Sequence, residues 1–287
     1  MPSLIDIRRR IRSVKNTQQI TKAMKMVSAA KLRRAQERAI AARPYAKMLQ
    51  QVLANVAEAA GQSAEAAEQP LLALRPEKRV LAVVITADSG LAGGFNSNLI
   101  KLAQRFFDEH KAAKEIGFEL IGKKGRDYFR KRTKNITGEH IDLSRKLKFE
   151  DAEKIANSVI ERFSRGEIDA VYVFTNEFKS VMAPNVTALR LLPIELPKGG
   201  QPVDYIYEQK PEELLGTLLP RYIKLHIYRA LLESIAAEHA ARMTAMDAAT
   251  SNASDVIDKL TLHMNRVRQA SITREIIEIV SGAAALD

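Results

Sequence analysis

The sequence contains no cysteine and no tryptophan. Without cysteine there are no disulfides, no thiolate metal sites and no cysteine nucleophiles. Aromatic residues make up only 6% of the chain, so small and aliphatic side chains must do most of the packing. Such packing suits helix seams better than a deep ligand cavity. No segment approaches the roughly 20 consecutive apolar residues of a membrane span, and the N-terminus has no apolar run fit for a signal peptide. A soluble, cytoplasmic protein is expected. The first fourteen residues are basic, but they follow a helical spacing and are read as part of a rod rather than as a transit peptide.

Helix breakers are scarce at both ends. Arg221 to Asp287 holds no proline and one glycine, Gly282, while Ser3 to Ala60 holds no glycine and only Pro44. The two arms are expected to be helical over roughly 100 and 85 Å at 1.5 Å per residue. Acidic residues are nearly missing from the first fifty positions. Asp6 and Glu37 stand against Arg8, Arg9, Arg10, Arg12, Lys15, Lys22, Lys25, Lys31, Arg33 and Arg34 among others. A solvated helix face ordinarily mixes signs through i,i+4 pairs, so this stripe, with the net charge of +11, points to an acidic partner.

Against these absences stands 46% hydrophobic content, enough for a substantial core in 287 residues. In the first arm Leu4, Ile7, Ile11 and Val14 fall at the alternating spacing of a coiled-coil seam. Gln18 and Thr21 continue it; Met24, Val27 and Ala30 are then read as a restart after a stutter, and Ala35, Ala39 and Ala42 as a small-residue seam. The partner seam runs through Tyr222, Leu225, Leu232, Ala236, Met243 and Met246 and resumes at Ile257, Leu260, Met264 and Val267. The C-terminal arm outruns its partner by roughly 25 Å. Its tip carries Ile272, Ile276, Ile277, Ile279, Val280 and Leu286, a surface that calls for a covering protein.

Between the arms, strands are expected at Val80 to Thr86, Phe118 to Ile121, Ala170 to Thr175 and Val186 to Leu192, with helices at Asn96 to Ala113 and Glu150 to Phe163. Alternation of the two gives a small doubly wound sheet. The fold expected is α/β plus coiled coil: a long antiparallel coiled coil of N- and C-terminal helices with a central Rossmann-like α/β domain. Its segments are 1–60 (N-terminal coiled-coil helix), 61–77 (linker), 78–200 (central domain) and 201–287 (C-terminal coiled-coil helix). Gly90, Gly93 and Gly94 follow the first strand but match neither dinucleotide nor P-loop spacing, and Asp88 reads as a turn or capping residue. The histidines His110, His140, His226, His239 and His263 show no ligand spacing, and no nucleophile elbow occurs. No catalytic residue, metal or cofactor is expected.

Four stretches carry a family resemblance: IRRRIRSVKNTQQITKAMKMVSAAKLRRAQ (7–36), TADSGLAGGFN (86–96), YIYEQKPEELL (205–215) and RQASITREIIEIVSGAAALD (268–287). They closely resemble the gamma subunit of bacterial F-type ATP synthases, and the resemblance runs the whole length. It implies a non-catalytic central rotor shaft of F1Fo, coupling proton flow through the membrane c ring to rotation and to ATP synthesis or hydrolysis at the beta subunits. Implied partners are the alpha and beta subunits of an alpha3-beta3 ring, the epsilon subunit and the c ring. The implied place is the cytoplasmic face of the bacterial inner membrane, held there through the complex. By motif position, Met24, Lys25, Arg242, Gln269 and Thr273 are implied to contact beta subunits. Ile272, Ile276, Ile279, Val280 and Leu286 would turn in an apical bearing, and Tyr205, Tyr207 and Glu208 would lie near epsilon and the c ring.

Two positions depart from the family's usual SDRGLCG turn, where this chain has Ser89 and Ala92. Pro220 stands where the family usually continues a helix, so the C-terminal arm is expected to begin or kink there. The cysteine-bearing regulatory insert of the chloroplast type is missing, which argues against thiol control. The rival reading is a basic coiled-coil arm that binds nucleic acid, although Tyr45 is the one aromatic of that arm available for stacking; a second rival is a passive scaffold.

Overall fold

The computed structural model describes residues 4–60, 69–111, 114–145, 147–178, 184–196 and 209–284. The elements follow in the order α1 (Leu4–Ala60), β1 (Arg79–Ile85), α2 (Phe95–His110), β2 (Glu115–Ile121), α3 (Lys123–Phe129), β3 (Ile136–His140), α4 (Phe149–Ser164), β4 (Ala170–Phe178), β5 (Pro184–Leu192) and α5 (Pro211–Ala284). Two compact units emerge. One comprises Met1–Ser28 with Arg242–Asp287, and the other Ala29–Ala241. Both long helices therefore contribute a segment to each unit.

In the larger unit a five-stranded sheet has the order β3-β2-β1-β4-β5. The first four strands are parallel, and β5 joins β4 antiparallel. Because side chains alternate along a strand, β1 sends Leu81, Val83 and Ile85 to one face and Val80, Ala82 and Val84 to the other. The second set packs with Leu99 and Ala103 of α2, Phe129 of α3 and Phe118 of β2. The first set meets α4, the α1 residues Leu53 and Val56, and the α5 residues Leu215, Leu219, Ile223, Ile227 and Leu231. Fully burying a side chain of this size contributes about 1.5–3 kcal/mol, so this shared core binds both helices to the sheet.

Strand β3 is missing from the sequence reading because its residues are polar partners rather than core. Glu119 of β2 is 3% exposed, and its carboxylate lies 2.7 Å from His140 Nε2 and accepts from the Thr137 hydroxyl at 3.1 Å. Gly138 keeps this approach open, since a Cβ there would stand 2.1 Å from Glu119 Oε1.

Along α1 the least exposed positions recur at three and four residues without interruption: Leu4, Ile7, Ile11, Val14, Gln18, Thr21, Lys25, Ser28, Leu32, Ala35 and onward to Ala60. The expected stutter is therefore corrected. Val27 is 54% exposed and Ala30 is exposed, while Lys25 and Ser28 hold the seam. A strict seven-residue period is kept by polar residues that a search for hydrophobic positions passes over. In the smaller unit the Thr21 and Thr250 hydroxyls share a hydrogen bond of 2.8 Å, and Lys25 Nζ meets Asp247 at 2.5 Å. These pairs make the packing antiparallel.

The expected start of the C-terminal arm at Pro220 is also corrected. Helix α5 begins at Pro211 and runs through Pro220. Proline at the first helical position loses no intrahelical bond, and the Lys210 carbonyl accepts from Glu213 and Leu214 at the first turn. Pro44 likewise lies inside α1, on its exposed face.

Candidate functional site

The carboxyl edge of a doubly wound sheet is where such folds commonly bind ligands. Here the edge is closed around β1 and β2. Asp88 accepts from the Lys123 backbone N–H at 3.1 Å and from the Ser144 hydroxyl at 3.3 Å, so it caps α3 as expected of a turn residue. The Thr86 hydroxyl accepts from Gly125 N–H at 2.8 Å and donates to the Ile121 carbonyl at 2.9 Å. Gly122 has φ of +90°, and a Cβ there would fall 2.1 Å from the Thr86 carbonyl oxygen. Phe95, Ala92 and Ala87 pack directly on Ala237 of α5. Beside β1 and β2 a cavity of about 20 Å³ remains, walled by α5 residues Leu231, Ser234, Ile235 and Glu238, room for about one water molecule, while a wider cleft of about 390 Å³ opens past the end of β4 between Glu177, Phe178, Arg43, Lys47, Arg229 and Glu233. The chain's own helix occupies the place of a ligand.

The residues singled out by sequence fall in the smaller unit, in two groups. Met24 and Lys25 are half-buried beside the α1–α5 seam. Lys25 already pairs with Asp247, and both side chains remain partly exposed, at 41% and 61%. Arg242, 9% exposed, lies five residues before Asp247 on α5, about 7.5 Å along the helix. Gln269 is roughly 33 Å beyond Asp247 by the same rise. Its carbonyl accepts from the Thr273 hydroxyl at 2.9 Å, leaving both side chains at an exposed surface. The structure therefore brings Met24, Lys25 and Arg242 to one level of the coil and separates them from Gln269 and Thr273.

The register fixed by Thr21–Thr250 and Lys25–Asp247 sets Leu4 opposite about Val267. Helix α5 continues to Ala284, roughly 25 Å past that level. Every residue from Ile272 to Ser281 is exposed. Ile272, Ile276, Ile279 and Val280 are 49, 55, 71 and 62% exposed. A helix end whose apolar side chains stand in water on all sides has the surface of a buried helix without its cover. Leu286, Tyr205, Tyr207 and Glu208 lie outside the described residues.

Sequence reasoning passed over Asp247 and Thr250, which complete the polar seam, and the exposed apolar residues Ile5, Ile20 and Met26 on the outside of α1. The spacing between Met246 and Ile257 was the available signal, since a continuing seam must cross Thr250 and Ala253. Among the described residues no group of three or more His, Asp or Glu is arranged to hold a metal, and no helix is long and apolar enough to cross a membrane.

A family model described as ATP synthase matches residues 3–286. The chain is similar to the ATP synthase gamma chain of Solibacter usitatus, 66% identical over 287 residues with all of both chains covered. It is similar as well to that of Pelotomaculum thermopropionicum, 52% identical over 290 residues with the same full coverage. Among solved structures, a chain from the central stalk and c-ring of Tetrahymena thermophila mitochondrial ATP synthase superposes with a TM-score of 0.62 at 26% identity. That match covers 80% of this chain and 99% of the other. A chain from the OSCP/F1/c-ring assembly of Euglena gracilis mitochondrial ATP synthase reaches 0.68 at 19% identity, covering 99% and 94%, a likeness of fold.

Proposed function

The chain belongs to the ATP synthase gamma chain family, and from that premise we propose that it is the central rotor shaft of F1Fo ATP synthase. It performs no bond chemistry itself. Ion flow turns a membrane c ring, the shaft turns with it, and its asymmetric surface drives three beta subunits through different nucleotide affinities. The observation that carries this reading is the bare apolar end of α5, Ile272 to Val280, which needs a sleeve and has none within its own chain among the described residues.

Within this reading the alpha3-beta3 ring supplies the sleeve, and Ile272, Ile276, Ile279, Val280 and Leu286 form the bearing surface. Gln269 and Thr273 make polar contacts to beta just below. Met24, Lys25 and Arg242 meet a beta subunit lower on the coil, where Lys25 shares its charge between Asp247 and the partner. Tyr205, Tyr207 and Glu208 face epsilon and the c ring. The segments 1–60, 78–200 and 201–287 then act as shaft helix, base and shaft helix, joined by 61–77, at the cytoplasmic face of the membrane.

Against the nucleic-acid reading, Tyr45 is the one aromatic on the basic arm. The test is copurification with subunit counting. One copy of this chain per three alpha and three beta subunits is expected, and equal copy numbers would refute the shaft role. Because the chain has no cysteine, Met24→Cys also provides a single attachment point. Crosslinking it to a beta subunit should stop multi-site ATP turnover.

A further inference from the structure

In parallel βα units the strand starts and helix ends share one edge of the sheet, and here that amino edge is basic in a way the fold itself does not require. Most of its carboxylates are already committed. Glu77 pairs with Lys114 at 2.6 Å, Asp169 with Arg79 at 2.8 Å and Asp108 with Lys111 at 3.0 Å. Glu109 and Glu115 remain as exposed carboxylates, Glu115 facing Arg79. Lys78, Lys131 and Lys134 are exposed, with no side-chain ion pair among the described residues. The Arg132 guanidinium lies 3.7 Å from the centre of the Tyr128 ring and is also exposed.

Cations at helix C-termini commonly offset the helix dipole. That explains Lys131 and Arg132, which follow α3. It does not explain Lys78 and Lys134, which stand before strands β1 and β3. Nor does it explain Leu74, 80% exposed and four residues before Lys78. Unpaired lysines and a bare leucine along one sheet edge form the surface of a peripheral membrane contact.

We propose that this amino edge docks against an anionic phospholipid surface. The proposal rests on the rotor reading, which brings the chain to a membrane-embedded ring. A bilayer presents the same headgroup charge at every angle around that ring. Attraction to it would hold the base down without opposing rotation. It would act within about 8 Å at physiological salt.

The test is flotation of the purified full chain with vesicles of phosphatidylglycerol and phosphatidylcholine, against phosphatidylcholine alone. Binding to the anionic vesicles only is expected. Lys78→Glu, Lys131→Glu and Lys134→Glu together should weaken it by roughly a hundredfold. Lys101→Glu, Lys124→Glu and Lys154→Glu, the same change of charge nearer the N-terminal ends of α2, α3 and α4, should leave it within about tenfold. Equal losses in the two variants, equal binding to neutral vesicles, or no flotation would overturn the proposal. So would capture by duplex DNA with the same dependence on the three lysines, which would mark a general polyanion surface. Counting alpha and beta subunits copurified with the first variant separates the two readings. Lost stoichiometry in the unmutated chain refutes the rotor role, whereas lost flotation with intact stoichiometry refutes only the lipid contact.

Discussion

Replacing Ile276, Ile279 and Val280 together by alanine should move folding and assembly in opposite directions. Full burial of such a side chain is worth about 1.5–3 kcal/mol, and these three retain 55, 71 and 62% of their surface in the free chain. A sleeve that covered them would gain about 1–2 kcal/mol from each. Truncation to alanine gives up most of that, roughly 3–4 kcal/mol in all, or about a 100- to 1,000-fold weaker hold on the ring. In the free chain the same changes remove little buried surface. Alanine also forms helix more readily than isoleucine or valine, by a few tenths of a kcal/mol per position. The unfolding midpoint of the isolated protein, followed by circular dichroism, should therefore stay level or rise slightly. Competition between variant and unmutated chain for reconstituted alpha-beta ring measures the other half. Equal competition, or a variant that melts markedly earlier by itself, would refute the bearing assignment.

Gly122→Ala should destabilise the larger unit by roughly 3 kcal/mol or more in urea titrations, because a Cβ at φ +90° meets the Thr86 carbonyl at 2.1 Å; an unchanged midpoint would contradict the closed sheet edge. Thr21→Val and Thr250→Val should each cost about 1 kcal/mol, with the double variant losing less than their sum; strict additivity would mean that the shared 2.8 Å bond contributes nothing. His226 is pushed down to about 4, chiefly by burial and secondarily by Arg229, from an ordinary value of 6.5. The unfolded chain takes up that proton first, so stability present above pH 6.5 should be lost as pH falls towards 4, by up to about 3 kcal/mol. His226→Gln should flatten that slope, measured as urea midpoints across the range, and a slope that persists would assign the loss elsewhere.

The helical arms were legible because they are long: proline and glycine are missing over lengths that only helices fill. Strand β1 was legible as an unbroken apolar run, since parallel strands are covered on both faces. Strand β3 was not, because ITGEH has no apolar alternation and gains its place through Glu119 and a glycine that tolerates it. The seam was misread between Thr21 and Ala30 for a related reason. Hydrophobicity marks a heptad only where the pairs are apolar, and Thr21 and Lys25 face polar partners whose identity depends on a segment more than two hundred residues away. Helix α5 starts at Pro211, between the expected segment start at 201 and the expected boundary at Pro220; proline in a packed helix is tolerated when tertiary contacts such as those of Leu215, Leu219 and Ile223 hold both sides. As for the candidate site, the bare tip could be read from composition alone, whereas Asp247 and Thr250 required the register.

The closed carboxyl edge of the sheet has a mechanical meaning. An open cofactor fold has a mouth that can widen and narrow, and such compliance would waste angular travel. Here Leu231, Ser234, Ile235 and Ala237 of α5 fill that mouth like a tool shank in a chuck. Twist applied to the sheet passes directly into the helix it grips.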